Sequence, residues 1–173
     1  GTAVSFGTLT DSKNYMGACA SPVRGVFAGG TPVASPYTPL TSDIEFVTTA
    51  TLGSEQDFGS LTAATSGMSG LSNPTRGIFA GGYNPAANNV IQYITIATLG
   101  NATDFGDLVN NASSSSNSGA SSSTRGVFSA LTPGQTTNMD MIEIATQGNA
   151  VDFGNLDEGR NNASAASNAH GGL

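Results

Sequence analysis

Three arginines and three aspartates recur in this chain in fixed company. Arg24, Arg76 and Arg125 each precede a glycine and an apolar run, and Asp57, Asp104 and Asp152 each open an Asp-Phe-Gly triplet. A ring of guanidinium groups at one repeat position would suit an anion, a sulfated glycan or a phosphate, because the planar fork meets oxyanions bidentately. The same fork suits one structural salt bridge or carbonyl clamp per repeat, with the recurring aspartates as candidate partners. Recurrence favours the second reading, and the three arginines are taken as structural anchors. Asp-Phe-Gly holds a catalytic metal only beside a glycine-rich phosphate loop, a strand lysine and a catalytic loop, and the sequence carries none of these. His170 is the sole histidine and falls at the repeat position held elsewhere by Arg. A hydrolytic triad or a metal site would need partners converging on it. Cys19 aligns with Leu71 and Ala120, which marks a packed apolar residue rather than a nucleophile. The carboxylates match no calcium-loop spacing. No catalytic residue, metal ligand or cofactor is assigned.

These residues belong to a larger rhythm. Phe6, Phe58, Phe105 and Phe153 stand 52, 47 and 48 residues apart, each followed by glycine, and join the arginines as structural anchors. A period near 50 signals stacked supersecondary units, commonly propeller blades. The expected organisation is a single repeat domain over 1–173, with repeats at 1–53, 54–100, 101–148 and a partial copy at 149–173.

Within the second copy, four short segments read as strands. They are Asp57 to Leu61, Gly67 to Ser72, Thr75 to Ala80, and the β-branched and aromatic run Val90 to Thr98. Turn signals at roughly 8–12-residue spacing and the lack of helical period argue for an all-β repeat. Six residues before each arginine lie Ala18, Gly70 and Gly119. Small residues in register fit strands that converge on a narrow axis. By the same register Ser113 to Ser123 is a strand, with a flexible Ser-rich linker as the competing reading. Ala169 to Leu173 lies over Thr124 to Phe128.

The chain has 173 residues, a formal charge of −7, and only 10% charged against 38% hydrophobic residues. It is not an acidic disordered tail, and it is long enough to bury a core. Five basic residues without a patch argue against nucleic acid as a partner. A single cysteine offers no intrachain disulfide framework. No apolar run approaches a membrane-spanning length, and no signal peptide is read at the start. Because Gly1 leads the sequence, a processed product or a window of something longer is expected. The Asn-x-Ser/Thr matches at Asn101, Asn111 and Asn162 arise readily by chance in so Ser/Asn-rich a chain.

The order of signals resembles a kelch repeat. Ile78-Phe79-Ala80-Gly81-Gly82 looks like the kelch double glycine, and the strand with Tyr93 looks like the aromatic-bearing strand that follows it. Asn101-Ala102-Thr103-Asp104-Phe105 looks like the outer strand, with Phe where kelch repeats usually carry Trp. The third copy departs from the pattern, with Ser129-Ala130 in place of the double glycine. The resemblance implies propeller blades of four antiparallel strands, about three and a half of them; a β-trefoil or β-prism is the alternative. The phrases Thr-Arg-Gly-Val-Phe and Ile-Ala-Thr-Leu-Gly-Asn-Ala-Thr-Asp-Phe-Gly-Asp-Leu are also similar to repeats in structural proteins of marine bacteriophages. That similarity implies a virion component such as a tail fibre, spike or capsid-surface protein, with a virion or extracellular location.

What the repeats do not share is their loops: Gly29 to Ser42, Gly81 to Asn89 and Leu131 to Asn138. Function concentrates in such segments. Tyr37, Tyr83, Asn84 and Gln135 are the candidate binding residues, able to stack on or hydrogen-bond to a sugar. The functional expectation is a non-enzymatic virion structural protein presenting loops to a host receptor or glycan. A cellular adhesin or lectin-like module is the alternative, and a glycan-active enzyme on a propeller scaffold a third. Open sheet edges call for a cover, so further repeat subunits, in a homo-oligomer or a longer chain, are the expected partners.

Overall fold

The computed structural model describes residues 1–32, 39–112, 118–129, 136–160 and 163–167. Tyr37, Gln135 and His170 lie outside the described residues. The described residues form strands and no helix. The first sheet comprises β1 (Gly17–Ala20), β2 (Arg24–Ala28), β3 (Asp43–Thr48) and β4 (Gln56–Ser60). The second comprises β5 (Ser69–Ser72), β6 (Arg76–Ala80), β7 (Asn88–Thr95) and β8 (Thr103–Ala112). The third comprises β9 (Ser118–Ser121), β10 (Arg125–Ser129), β11 (Thr136–Glu143) and β12 (Val151–Arg160). Each sheet is an antiparallel meander in chain order. The sheets run one strand out of phase with the sequence frame: a repeat counted from its Phe-Gly strand begins with the last strand of one sheet and continues with the first three of the next.

Local chemistry sets the turns. Ser21, Asn73 and Ser122 each accept the backbone N–H of the arginine three residues on, at 3.1, 2.7 and 3.1 Å. These side-chain turns close the hairpin between the first two strands of each sheet. At the far end of β6, Gly81 and Gly82 take φ of +67° and +101°, a left-handed path that side chains with a Cβ rarely adopt. Gly29 and Gly30 do the same after β2.

The sheets stack face to face. Val26, Ile44, Phe46 and Phe58 meet Phe79, Ile94 and Ile96 between the first and second. Ile78, Ile91, Phe105 and Leu108 meet Phe128, Ile142 and Ile144 between the second and third. The middle sheet is therefore apolar on both faces, which is why β6 reads as a continuous apolar run rather than an alternation. At one edge β1, β5 and β9 lie side by side. Ser72 Oγ donates to the Ala20 carbonyl at 2.6 Å, and Ser121 Oγ to the Ser72 carbonyl at 2.7 Å. A Cβ on Gly70 would collide with the Ala18 carbonyl, so the small-residue register is a steric demand. Residues 163–167 continue this row, with Ser121 N–H donating to Ser167 Oγ at 3.1 Å. The pairing differs by one residue from the sequence register, which set Ala166 there.

Candidate functional site

The recurring polar residues join one sheet to the next. Arg24 Nη1 donates to the Ile96 carbonyl at 2.6 Å, and Arg76 Nη1 to the Ile144 carbonyl at 2.8 Å. Each guanidinium also lies over an aromatic ring of its own sheet, Phe46 at 4.5 Å and Tyr93 at 4.8 Å. Arg125 instead pairs with the exposed Glu143 at 2.8 Å. The aspartates are not the partners. Asp57 and Asp152 accept the N–H groups of Gly59 and Gly154 at 3.1 and 3.0 Å, hydrogen bonds within their own strands.

The Phe-Gly strands of the first and second sheets are each clasped by the Gly-Asn turn of the following sheet. Gly100 N–H donates to the Phe58 carbonyl, Ala102 N–H to the Ser60 carbonyl, and Ser60 N–H to Asn101 Oδ1. Gly148, Ala150 and Asn149 repeat all three bonds on Phe105 and Asp107. Gly59 and Gly106, at φ of +145° and +146°, lie so close to the facing turn that a Cβ would strike the carbonyls of Gly100 and Gly148. Phe58 and Phe105 are alike, each 3% exposed and edge-on to Phe46 or Tyr93. Phe6 and Phe153 hold the same repeat position but are 39% and 51% exposed, because each has a sheet on one side only.

A third connection escaped the sequence reading. Glu45, Gln92 and Asp140 occupy one position in the third strands, and all are buried. Gln92 Oε1 accepts from the backbone N–H and the hydroxyl of Thr62 at 2.9 and 3.0 Å. Asp140 Oδ2 accepts from Val109 N–H at 2.8 Å. Glu45 instead meets Lys13 Nζ at 2.6 Å, which also reaches Asp43 at 3.3 Å. The signal available in the sequence was one polar residue inside each β-branched strand, obscured by unequal loop lengths before it. Burial pushes the Asp140 carboxyl above its ordinary value and the nearby Asp152 charge adds to this, against the backbone N–H groups of Val109 and Asn110. For Lys13, burial works to lower the ammonium pKa, but the bonds and charges of Glu45 and Asp43 outweigh it and the net direction is upward. Cys19 is buried, and its thiol is pushed up to about 12 by that burial.

The first two variable loops are rooted where β2 and β6 end. Gly30 N–H donates to the Thr65 carbonyl and Gly82 N–H to the Ala112 carbonyl, so each loop root is tied to the segment leading to the next sheet. Thr31 bridges to Asn14, and Tyr83 to Ser66 and Ala87. Tyr83 and Asn84 are half-buried side by side at the start of their loop, where Asn84 N–H donates to the Ala86 carbonyl at 2.8 Å.

No family model matches this chain, and no curated protein matches it either. The geometry is therefore what bears on function.

Proposed function

We propose that the chain is a kelch-like propeller arc acting as a non-enzymatic structural protein of a bacteriophage virion, a tail fibre, spike or capsid-surface component. Its loops present a surface to a host receptor or glycan. The propeller reading is supported by face-to-face sheets whose short first strands line one edge with small residues and whose Phe-Gly strands lie at the other. A trefoil or prism would not call for Ala18, Gly70 and Gly119 in a single row.

One observation carries the functional reading. The residues that recur, the arginines, the Asp-Phe-Gly strands, the Gly-Asn turns and the buried Glu/Gln/Asp position, are engaged in turns or in holding sheets together. The unequal loops are what the repeats do not share, and scaffold-borne loops are where recognition concentrates. Tyr83 and Asn84 are the described binding candidates: an aromatic face with an adjacent carboxamide is sugar-binding chemistry.

The test is adhesion. The purified chain is applied to candidate host cells and to an array of surface glycans, beside a Tyr83→Ala/Asn84→Ala variant. Binding by the wild type, weakened at least several-fold in the variant with its melting temperature unchanged, supports the reading. Adhesion indifferent to the loops overturns it, and finding the protein in purified particles separates the virion assignment from a cellular adhesin.

A further inference from the structure

We propose that the face of the third sheet that no other sheet covers among the described residues receives the first sheet of a second copy of this chain, head to tail. The proposal rests on the stacked-repeat reading above and names the partner and the register. The interface it invokes occurs twice within the chain, between the first and second sheets and between the second and third.

The third sheet carries the receiving half. Phe153, Gly154 and Asn155 stand where Phe58-Gly59-Ser60 and Phe105-Gly106-Asp107 are clasped, and nothing lies within 4 Å of the Cβ direction of Gly154. Val127 and Met139 take the places of Ile78 and Ile91, which are fully buried in the second sheet, yet are only half-buried; Met141 stands at the place of the part-buried Tyr93. Arg125 stands where Arg24 and Arg76 reach the next sheet's carbonyl. The first sheet carries the delivering half: Phe27 and Val47 at the places of Phe79 and Ile94, the Thr49 carbonyl at that of Ile96, and Gly53-Ser54-Glu55 at that of Gly100-Asn101-Ala102.

The delivering half already holds a stand-in. Phe6-Gly7-Thr8 lies on it and makes the clasp bonds. Gly53 N–H donates to the Phe6 carbonyl at 2.9 Å, Glu55 N–H to the Thr8 carbonyl at 3.1 Å, and Thr8 N–H to Ser54 Oγ at 3.4 Å. A single extended segment brings no sheet with it, so Phe6 stays partly exposed where Phe58 and Phe105 are covered. Replacing it by Phe153-Gly154-Asn155 of another copy exchanges those hydrogen bonds one for one. The net gain is the apolar surface of Phe153, Val127, Met139 and Met141, which association removes from water. Residues 163–167, held to β9 through Ser167, give way to the incoming β1 in the same manner. A head-to-tail contact of this kind builds rings or filaments.

The test uses the contact between Thr8 Oγ1 and Ser54 Oγ, 3.0 Å apart. In the docked copy residue 155 takes the place of Thr8, so a Ser54→Cys/Asn155→Cys variant forms an intermolecular disulfide in this register. The buried Cys19, with its raised pKa, stays out of exchange. The expected result is a ladder of covalent multimers from the double variant and nothing beyond a dimer from either single variant. Wild-type chain should sediment above monomer mass, deletion of residues 1–10 should raise that mass, and Phe153→Asp should lower it. Monomeric sedimentation of both the wild type and the deletion variant overturns the proposal, as does cross-linking no greater in the double variant than in the single ones. Loop-dependent adhesion is read separately, so adhesion that persists without a ladder removes the docking alone.

Discussion

The guanidinium of Arg76 donates to the main-chain carbonyl of Ile144, 68 residues further along the chain, at 2.8 Å. The bond crosses from one sheet to the next, and Arg24 makes its counterpart with Ile96. Arg125 stands at the same repeat position and turns to Glu143 of its own sheet, both side chains being about half exposed. One residue type at one position therefore has two energetic weights. Arg76→Ala is expected to destabilise the fold by about 2–3 kcal/mol, from a charge-assisted hydrogen bond and a ring contact. Arg125→Ala should cost less than about 1 kcal/mol. Denaturant midpoints of the two variants check the difference; equal midpoints would contradict the carbonyl clamp.

The clasp glycines give a matched pair. Gly106→Ala and Gly154→Ala both place a side chain at positive φ, but only the first drives its Cβ into a facing carbonyl, that of Gly148. Gly106→Ala should exceed Gly154→Ala in destabilisation by about 1–3 kcal/mol, the usual range for overpacking. Thermal melts of both, at a dilution where the chain is monomeric, give the comparison.

Asp140 is about 1% exposed, and its folded-state pKa is raised, chiefly by burial. A carboxyl raised on folding favours the protonated native state, so its contribution to stability falls as pH rises from the ordinary carboxylate value through the folded one. Asp140→Asn retains an acceptor for Val109 N–H, as Gln92 supplies for Thr62, and removes the buried charge. The variant should melt above wild type at neutral pH, with the gap closing near pH 4, about the unfolded carboxyl value. A gap independent of pH would show that the charge is not responsible.

Lys13 has a side chain only 2% exposed and two carboxylate neighbours. Its pKa is raised on folding, so the stability it contributes is present below the ordinary lysine value of about 10.4 and is lost as pH rises through the folded one. Lys13→Met leaves Glu45 buried without its partner and should cost about 3 kcal/mol at neutral pH. Adding Glu45→Gln, the side-chain type that the second repeat uses at this position, should recover part of that loss. The alkaline fall in stability should shrink in both variants, as urea titrations at pH 8 and above would read.

Much of this arrangement is legible in the residues. The matched Arg-Gly and Phe-Gly phrases mark the repeat. The β-branched run Val90 to Thr98 corresponds to β7, and the Ser-rich stretch that aligned with strands contains β9. Strand extents were less visible: β8 continues to Ala112, through polar residues whose pairing is with β7. Partner choice was less visible still. The recurring arginines suit either an ion pair or a carbonyl clamp, and side-chain pattern does not choose between them: Arg24 and Arg76 reach a backbone carbonyl, whereas Arg125 pairs with Glu143.

The period, the all-β character and the positions that must be small or apolar are written in the residues, because local sterics and burial act on residue type. Which chemistry each repeated residue performs follows from what packs beside it in the fold. Phe105 and Phe153 share a motif, yet one is buried and the other half exposed, because a neighbouring sheet covers only the first. Repetition specifies the same surface each time; its burial depends on what packs against it.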